Sequence, residues 1–256
     1  ELSEADFEIK YSSKKSDERI YSKNYKKHIE FWTKYREAVK NIKIVDPACG
    51  SGAFLITAFE YLLNYNNYLN DKIFDLTGTK DLFSDTTKEI LQNNIFGVDL
   101  NKESVEITKL SLWLKTANKN KTLATLENNI KCGNSLIDDI EIAGELAFDW
   151  EKEFPQVFKN GGFDVVVGNP PYFNVQTFGA KSPIVSYLMD KYSEIWQDKS
   201  DILFYFIYKA LKISKGEVGF IISNAFLFSD KAQKLRNYIV EKGRLEKIIN
   251  FELFSS

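Results

Sequence analysis

The chain has 256 residues, with 34 Lys+Arg against 36 Asp+Glu, 2 Cys and 1 His. That length suits one large domain, and 44% hydrophobic with 27% charged residues is ordinary for a globular chain with a real core. Cys49 and Cys132 lie far apart and His28 stands alone, which excludes a thiolate zinc cage, a disulfide framework and a His-rich centre; no metal is expected. The near-neutral charge lacks the basic footprint of a stand-alone nucleic-acid-binding domain. With no signal peptide and no apolar run of the 18 or so residues a membrane span needs, a cytoplasmic protein off the membrane is expected. The chain starts at Glu1 and its one methionine is Met189, so it is expected to be a piece of a longer protein.

In chain order, residues 1–16 are polar and patternless. From Asp17 to Lys40, residues Ile20, Tyr21, His28, Phe31, Trp32, Tyr35 and Val39 keep a helical spacing, with His28 as a surface or packing residue. This gives an N-terminal helical extension over 1–41 ahead of a catalytic domain over 42–256. The run Ile42 to Val45 stops at Asp46-Pro47, and a helical AFLITAFEYLL follows Gly52, which is the first strand-turn-helix unit of a doubly wound sheet. Residues about 64–92, rich in Asn, Asp, Thr and Lys, form an expected insertion before a strand over Asn94–Asp99. The helix from Lys102 to about Ala117 is apolar on more than one face and therefore expected to be buried. A short strand near Ile130–Cys132, a second insertion over 138–162 and a strand over Phe163–Val167 come next. The prolines of Asn169-Pro170-Pro171-Tyr172 then force the chain out of the sheet. A long, partly ordered loop over 173–199 precedes a helix Asp201–Ile213, a strand Val218–Ser223, a helix Lys231–Glu241 and a last strand Leu245–Asn250. The fold class is α/β, a doubly wound, mainly parallel sheet with six strands and flanking helices.

Ligands of such sheets bind at the carboxyl ends of the strands. Those ends carry Asp46-Pro47-Ala48-Cys49-Gly50-Ser51-Gly52, Asp99, Asn134 and Asn169-Pro170-Pro171-Tyr172. Gly50 and Gly52 let backbone approach a ligand and offer a helix N-terminus to a carboxylate. Asp99 suits two ribose hydroxyls, and Asp46 suits an ammonium better than a pyrophosphate. The interval from Gly52 to Asp99 far exceeds the ~20 residues of a dinucleotide fingerprint, so the ligand indicated is a nucleoside carrying an amino acid. The Asn169 side-chain carbonyl and the Pro170 backbone carbonyl can hold the two hydrogens of a ring-conjugated amino group and free its lone pair. Fixed acceptors of this kind are an ordinary source of electrostatic catalysis. Tyr172 offers a face for a flat base. No histidine is required.

Asp46 to Gly52, Phe96-Gly97-Val98-Asp99, Gly133-Asn134-Ser135-Leu136 and Asn169 to Tyr172, in that order, resemble motifs I to IV of gamma-class N6-adenine DNA methyltransferases. The likeness is to the large type IIG restriction–modification and phage-defence methylases, and it runs from about Ile42 to Phe254. It implies a Rossmann-like methyltransferase fold, S-adenosylmethionine as methyl donor, and double-stranded DNA as partner with the target adenine flipped. Asp46, Ala48 and Gly50 would line the methionine part, Asp99 the ribose and Asn134 the adenine edge, with Gly52 also counted among the cofactor-binding residues. Pro171 and Phe206 would wall the cofactor's adenine. Phe254 is chosen over Phe251 as the second stacking aromatic, with Phe251 expected inside the sheet. The family often has Asp where Asn134 stands.

The likeness also implies what residues 1–256 omit. A motif X is not found in residues 1–41. The seventh, antiparallel strand and the target-recognition domain would follow Ser256, and a nuclease domain could belong to the full-length chain, so cofactor affinity and site-specific DNA binding are expected to be weak in this piece. Lys14-Lys15 and Lys23 to Lys27 are expected to be solvated faces. The competing readings are a protein-glutamine methyltransferase, an RNA methyltransferase, and a catalytically silent module that binds DNA or a partner.

Overall fold

Five of the apolar runs pair into one parallel sheet in the computed structural model, which describes residues 23–79, 85–116 and 125–251. The strands are β1 (Ile44–Asp46), β2 (Ile95–Asp99), β3 (Ile130–Cys132), β4 (Phe163–Gly168) and β5 (Ser214–Phe220), in the order β3-β2-β1-β4-β5. The register pairs Asp46 with Gly97, Asp99 with Cys132 and Gly168 with Phe220, so all five carboxyl ends reach one rim. The chain winds outward from β1 to β3 and then returns to the other side of β1 as β4. The switch point therefore lies between β1 and β4, where open α/β sheets open a crevice.

Side-chain alternation along the strands divides the core in two. Ile44, Ile95 and Ile130 face a layer built from α1 (Lys23–Asn41), α2 (Ala53–Thr77), α3 (Thr86–Asn93) and α4 (Lys102–Thr116). Val45, Phe96, Val98 and Val166 face the other layer. There they meet Trp150, Phe154 and Val157 from the single-turn helices α6 (Trp150–Glu153) and α7 (Pro155–Phe158), which follow α5 (Ile140–Ala143). The second insertion is thus a wall of the core. Phe154 is fully buried, and truncating a phenylalanine so placed costs about 3–5 kcal/mol. A third cluster joins α8 (Pro183–Lys191), α9 (Ile202–Ile213) and α11 (Gln233–Lys242), with Phe226 from α10 (Ala225–Phe228). Among the described residues no helix is long and apolar enough to cross a membrane.

Several expectations need correction. Residues 64–77, the first part of the expected insertion, are helical: α2 continues to Thr77 and is closed by Gly78, whose N–H donates to the Phe74 carbonyl. Its buried residues Leu55, Phe59, Leu62, Asn66, Leu69 and Leu76 hold one stripe through the Asn-rich stretch, and Asn66 donates to the Leu62 carbonyl at 2.8 Å. Tertiary burial there overrides poor local propensity. Conversely, α4 is buried on one face only: Ile107, Leu110 and Leu114 are exposed. The supposed loop over 173–199 contains a 3-10 turn (Val175–Phe178) and α8, and it buries Leu188, Tyr192 and Ile195.

The sixth strand does not form. Residues 244–250 carry no strand, Leu245, Ile248 and Ile249 are exposed, and Phe251 is 65% exposed instead of lying inside the sheet. A strand exists only through a ladder of hydrogen bonds to a neighbouring strand, which a β-branched run cannot supply by itself. Ile20, Tyr21 and Phe254 lie outside the described residues. His28 has the packing role expected, accepting from Trp32 Nε1 at 2.7 Å.

Candidate functional site at the carboxyl rim of the sheet

The turn after β1 is built from backbone and held from beneath. Gly52 has φ 86°, which an L side chain rarely adopts, and a Cβ there would stand 2.8 Å from Thr108 Cγ2. Thr108, fully buried on α4, donates its hydroxyl to the Gly50 carbonyl at 2.8 Å. A Cβ at Gly50 would meet nothing within 4 Å, so this turn opens outward. Gly52 then caps α2 and aims the free N–H groups of its first turn at the rim.

Two carboxylates flank the turn. Asp46 is 2% exposed, and its Oδ1 accepts from the Ala48 N–H at 2.9 Å. Burial pushes its carboxyl up to about 7 against the pull of the Ala48 amide, with the Asp99 charge adding to the rise. Asp99 accepts from the Gly50 N–H through Oδ2 at 2.8 Å and from the Asn101 N–H through Oδ1 at 2.9 Å. Each oxygen keeps a second lone pair for a ligand. Cys49 is buried behind the turn and burial raises its thiol, so it packs as an inert apolar group.

The end of β3 is tied to the same turn. Ser135 donates its hydroxyl to the Pro47 carbonyl at 2.5 Å, and Trp150 Nε1 donates to the Ser135 carbonyl at 3.0 Å. Asn134 accepts from the Leu136 N–H at 3.1 Å, so its amide oxygen is partly committed to a local turn. Phe206 is 8% exposed within a cluster that includes Leu136 and against which Ala48 packs.

Across the switch point, β4 delivers the Asn169–Tyr172 loop. A Cβ on Gly168 would come within 2.6 Å of Asp46 Oδ1, so β4 and β1 meet this closely only because Gly168 has no side chain. Asn169, Pro171 and Tyr172 are exposed, while Pro170 is buried. Among the described residues the Pro170 carbonyl accepts no hydrogen bond and remains an available acceptor. The Tyr172 hydroxyl reaches both Asn169 Oδ1 and, at 2.8 Å, the Ile221 carbonyl just past β5. Beyond the loop, Asn174 pairs with Asp201, and Asn174 Nδ2 donates to the Lys199 carbonyl at 2.8 Å. Asp201 caps α9 by accepting from the Leu203 N–H at 2.9 Å.

The fold therefore gathers Asp46, Ala48, Gly50, Gly52, Asp99 and Asn134 on one side of the switch point, and Asn169 to Tyr172 on the other. Thr108, Ser135, Gly168 and Ile221 join the site only through the fold. Thr108 left one signal, a hydroxyl in the middle of an apolar helix, and Ser135 stood inside a quoted motif. Ile221 acts through its backbone carbonyl and left none.

Residues 93–255 match the family model of the Eco57I restriction-modification methylase. The chain is 31% identical over 232 residues to the type II restriction enzyme and methyltransferase RM.Eco57I of Escherichia coli, covering 83% of this chain and 23% of that protein. It is 28% identical over 164 residues to the adenine-specific methyltransferase PglX of Streptomyces coelicolor, covering 54% of this chain and 13% of that protein. Its fold resembles that of the Type IIL restriction-modification enzyme MmeI, solved in complex with DNA, at TM-score 0.54 and 15% identity, over 84% of this chain and 29% of that one. The chain thus spans less than a quarter of the length of either curated relative.

Proposed function

The chain belongs to the Eco57I restriction-modification methylase family, and on that premise we propose that it transfers a methyl group from S-adenosylmethionine to the N6 amino group of an adenine flipped out of double-stranded DNA. The observation that carries this is the Asn169–Tyr172 loop set against the Asp46 turn at the switch point, with Gly168 and Asp46 in contact range. The work would take place in a restriction–modification or phage-defence enzyme acting on DNA in the cytoplasm.

The residues suit the donor. When bound, S-adenosylmethionine supplies an electrophilic methyl group on a sulfonium, a cationic centre carried by an amino acid and a ribose. Asp46 and Asp99 give two carboxylates for such a ligand, and the Gly50 to Gly52 turn gives bare backbone. Asp99 would take the ribose hydroxyls, Asp46 and Ala48 the methionine end, Asn134 the adenine edge, and Pro171 and Phe206 the faces of the adenine.

On the acceptor side, the Asn169 Oδ1 and Pro170 carbonyl oxygens would accept the two N6 hydrogens. That draws the nitrogen out of conjugation and leaves its lone pair directed at the methyl carbon. The two prolines hold the backbone acceptor in place before substrate arrives, so little reorganisation is needed at reaction. The ring of Tyr172 would stack on the flipped base, with Phe254 as its expected opposite face.

The test is to incubate the full-length enzyme with radiolabelled donor and, separately, DNA, RNA and protein acceptors. Label in N6-methyladenine of DNA is the expected result. Label in protein glutamine or in RNA would replace this reading with one of its rivals.

A further inference from the structure

The Tyr172 hydroxyl makes contacts that stacking does not require. A base platform uses only the ring face, yet here the phenolic oxygen bridges Asn169 Oδ1 and the Ile221 carbonyl oxygen, the latter at 2.8 Å. Both partners are acceptors in this arrangement, and a phenol has one proton to donate. Burial and the nearby Asp201 charge push its ionisation upward, so the proton stays on the oxygen at physiological pH. The Ile221 carbonyl can only accept, whereas the Asn169 amide can turn over and present Nδ2 instead.

Two hydrogen-bond arrangements follow. In one, the hydroxyl proton goes to Asn169 Oδ1 and draws that acceptor toward the tyrosine. In the other, the proton goes to the Ile221 carbonyl, the phenolic oxygen becomes an acceptor, and Asn169 Nδ2 donates to it. The second arrangement satisfies every member of the chain, from Nδ2 to the Tyr172 oxygen to the Ile221 carbonyl. It leaves Asn169 Oδ1 turned away from the tyrosine and open to a partner.

An amide has ends of nearly equal size and opposite polarity. An Asn169 that offered Nδ2 to the target would set a donor against the donor hydrogens of the amino group. We infer that the Tyr172 hydroxyl, separately from the Tyr172 ring, selects which end of the Asn169 amide faces the target amino group. The Ile221 carbonyl anchors that choice by taking the hydroxyl proton. Tyr172 is thus a positioning residue through its oxygen and a stacking platform through its ring. The inference rests on the proposed methyl transfer and deepens it: the site is tuned to an acceptor that carries two N–H hydrogens. No proton leaves its atom; one hydrogen bond is exchanged for another.

The carboxylate variant Asn169→Asp supplies the test, because a carboxylate is an acceptor at both ends and has no wrong orientation. In the full-length enzyme, Tyr172→Phe is expected to lower kcat about 10- to 100-fold with donor affinity unchanged, the scale of one misdirected hydrogen bond at a reacting centre. In an Asn169→Asp background the same change is expected to alter kcat less than about threefold, since no end remains to be selected. An equal loss in both backgrounds overturns the inference, because a stacking or scaffolding role does not depend on which acceptor stands at 169. An unchanged kcat for Tyr172→Phe alone overturns it as well.

A binding measurement covers the case in which Asn169→Asp is too slow to assay. Duplexes carrying the mapped site with either adenine or purine at the target differ only in the amino group. The wild type is expected to prefer adenine, and Tyr172→Phe to lose that preference while binding the purine duplex as the wild type does. Equal weakening on both duplexes overturns the inference. A wild type that methylates DNA adenine while Tyr172→Phe behaves normally sinks the hydroxyl's role alone. A wild type that methylates no DNA sinks the proposed function beneath it.

Discussion

The two halves of the rim are built on different principles. On the β1–β2–β3 side every functional group is locked from below: Thr108 holds the Gly50 carbonyl, Gly50 and Asn101 hold Asp99, and Ser135 holds the Pro47 carbonyl. Strands β1 and β2 are buried on both faces. On the β4–β5 side Asn169, Pro171 and Tyr172 are exposed and the loop is tied to the segment just past β5 through the Tyr172 hydroxyl, and β5 is an edge strand with most of its residues accessible. A small donor needs a rigid cradle, whereas a base swung out of a duplex needs an open mouth and groups that can re-pair when it arrives. The difference teaches that donor binding and methyl transfer should be separable by mutation.

The largest expected effect tests that separation directly. Asn169→Ala removes an acceptor from the open half and should lower kcat at least 100-fold, the usual scale for one preorganised group, with calorimetric donor binding unchanged. Donor binding lost in parallel would mean the halves are not independent.

Asp46→Asn probes the buried half through pH. A carboxyl raised to about 7 keeps its proton when folded but not when unfolded between roughly pH 4 and 7, so its contribution to stability falls as pH climbs through that window. Above it, the ionised Asp46 costs on the order of 2–4 kcal/mol. Asparagine can still accept from Ala48 without that charge. Thermal melts should therefore show Asp46→Asn more stable than wild type at pH 8 and nearly equal at pH 4.5, while its donor affinity falls. A melting gain that is the same at both pH values would dissociate the effect from ionisation.

Next in size, Gly52→Ala forces an L side chain into a left-handed conformation and against Thr108 Cγ2 at 2.8 Å. Strain and overpacking together should cost about 2–3 kcal/mol by denaturant unfolding, and donor affinity should fall with it. The neighbouring Thr108→Val should cost only about 1–2 kcal/mol, because shape is kept and one buried hydrogen bond to Gly50 is lost.

The smallest effect sits on the outer face of the rigid half. Leu114 is 67% exposed, so Leu114→Glu should shift unfolding free energy by less than about 0.5 kcal/mol. A cost above 2 kcal/mol would return α4 to the all-round burial that its composition suggests.

The residues of the candidate site stood out because they are unusual in kind and fall where strands end. Asp46 to Gly52 combines a β-branched run, an acid and two glycines, and Asn169 to Tyr172 carries two prolines that end a ladder. The match of residues 93–255 to a methylase family agrees with that resemblance. What stayed hidden depends on groups without a local signature. Thr108 and Ser135 act through hydroxyls that meet the turn only after α4 and β3 have packed. The Ile221 carbonyl exists at every position of the chain. The helix through 64–77 and the half-exposed α4 share one cause, since polarity along a helix does not say which face finds a neighbour.

By itself, then, the sequence determined the alternation of strand and helix, the order of the rim's motifs and the chemistry their side chains can perform, because these follow from residue type and spacing. Tertiary structure alone decided that β4 lies beside β1, so that Gly168 meets Asp46 and the loop after β4 stands beside the turn after β1. It alone decided that residues 244–250 carry no strand and that the Tyr172 oxygen reaches Asn169. The physical reason is that strand pairing and hydrogen-bond partnership are relations between segments distant along the chain. No single segment encodes whether its neighbour will be there.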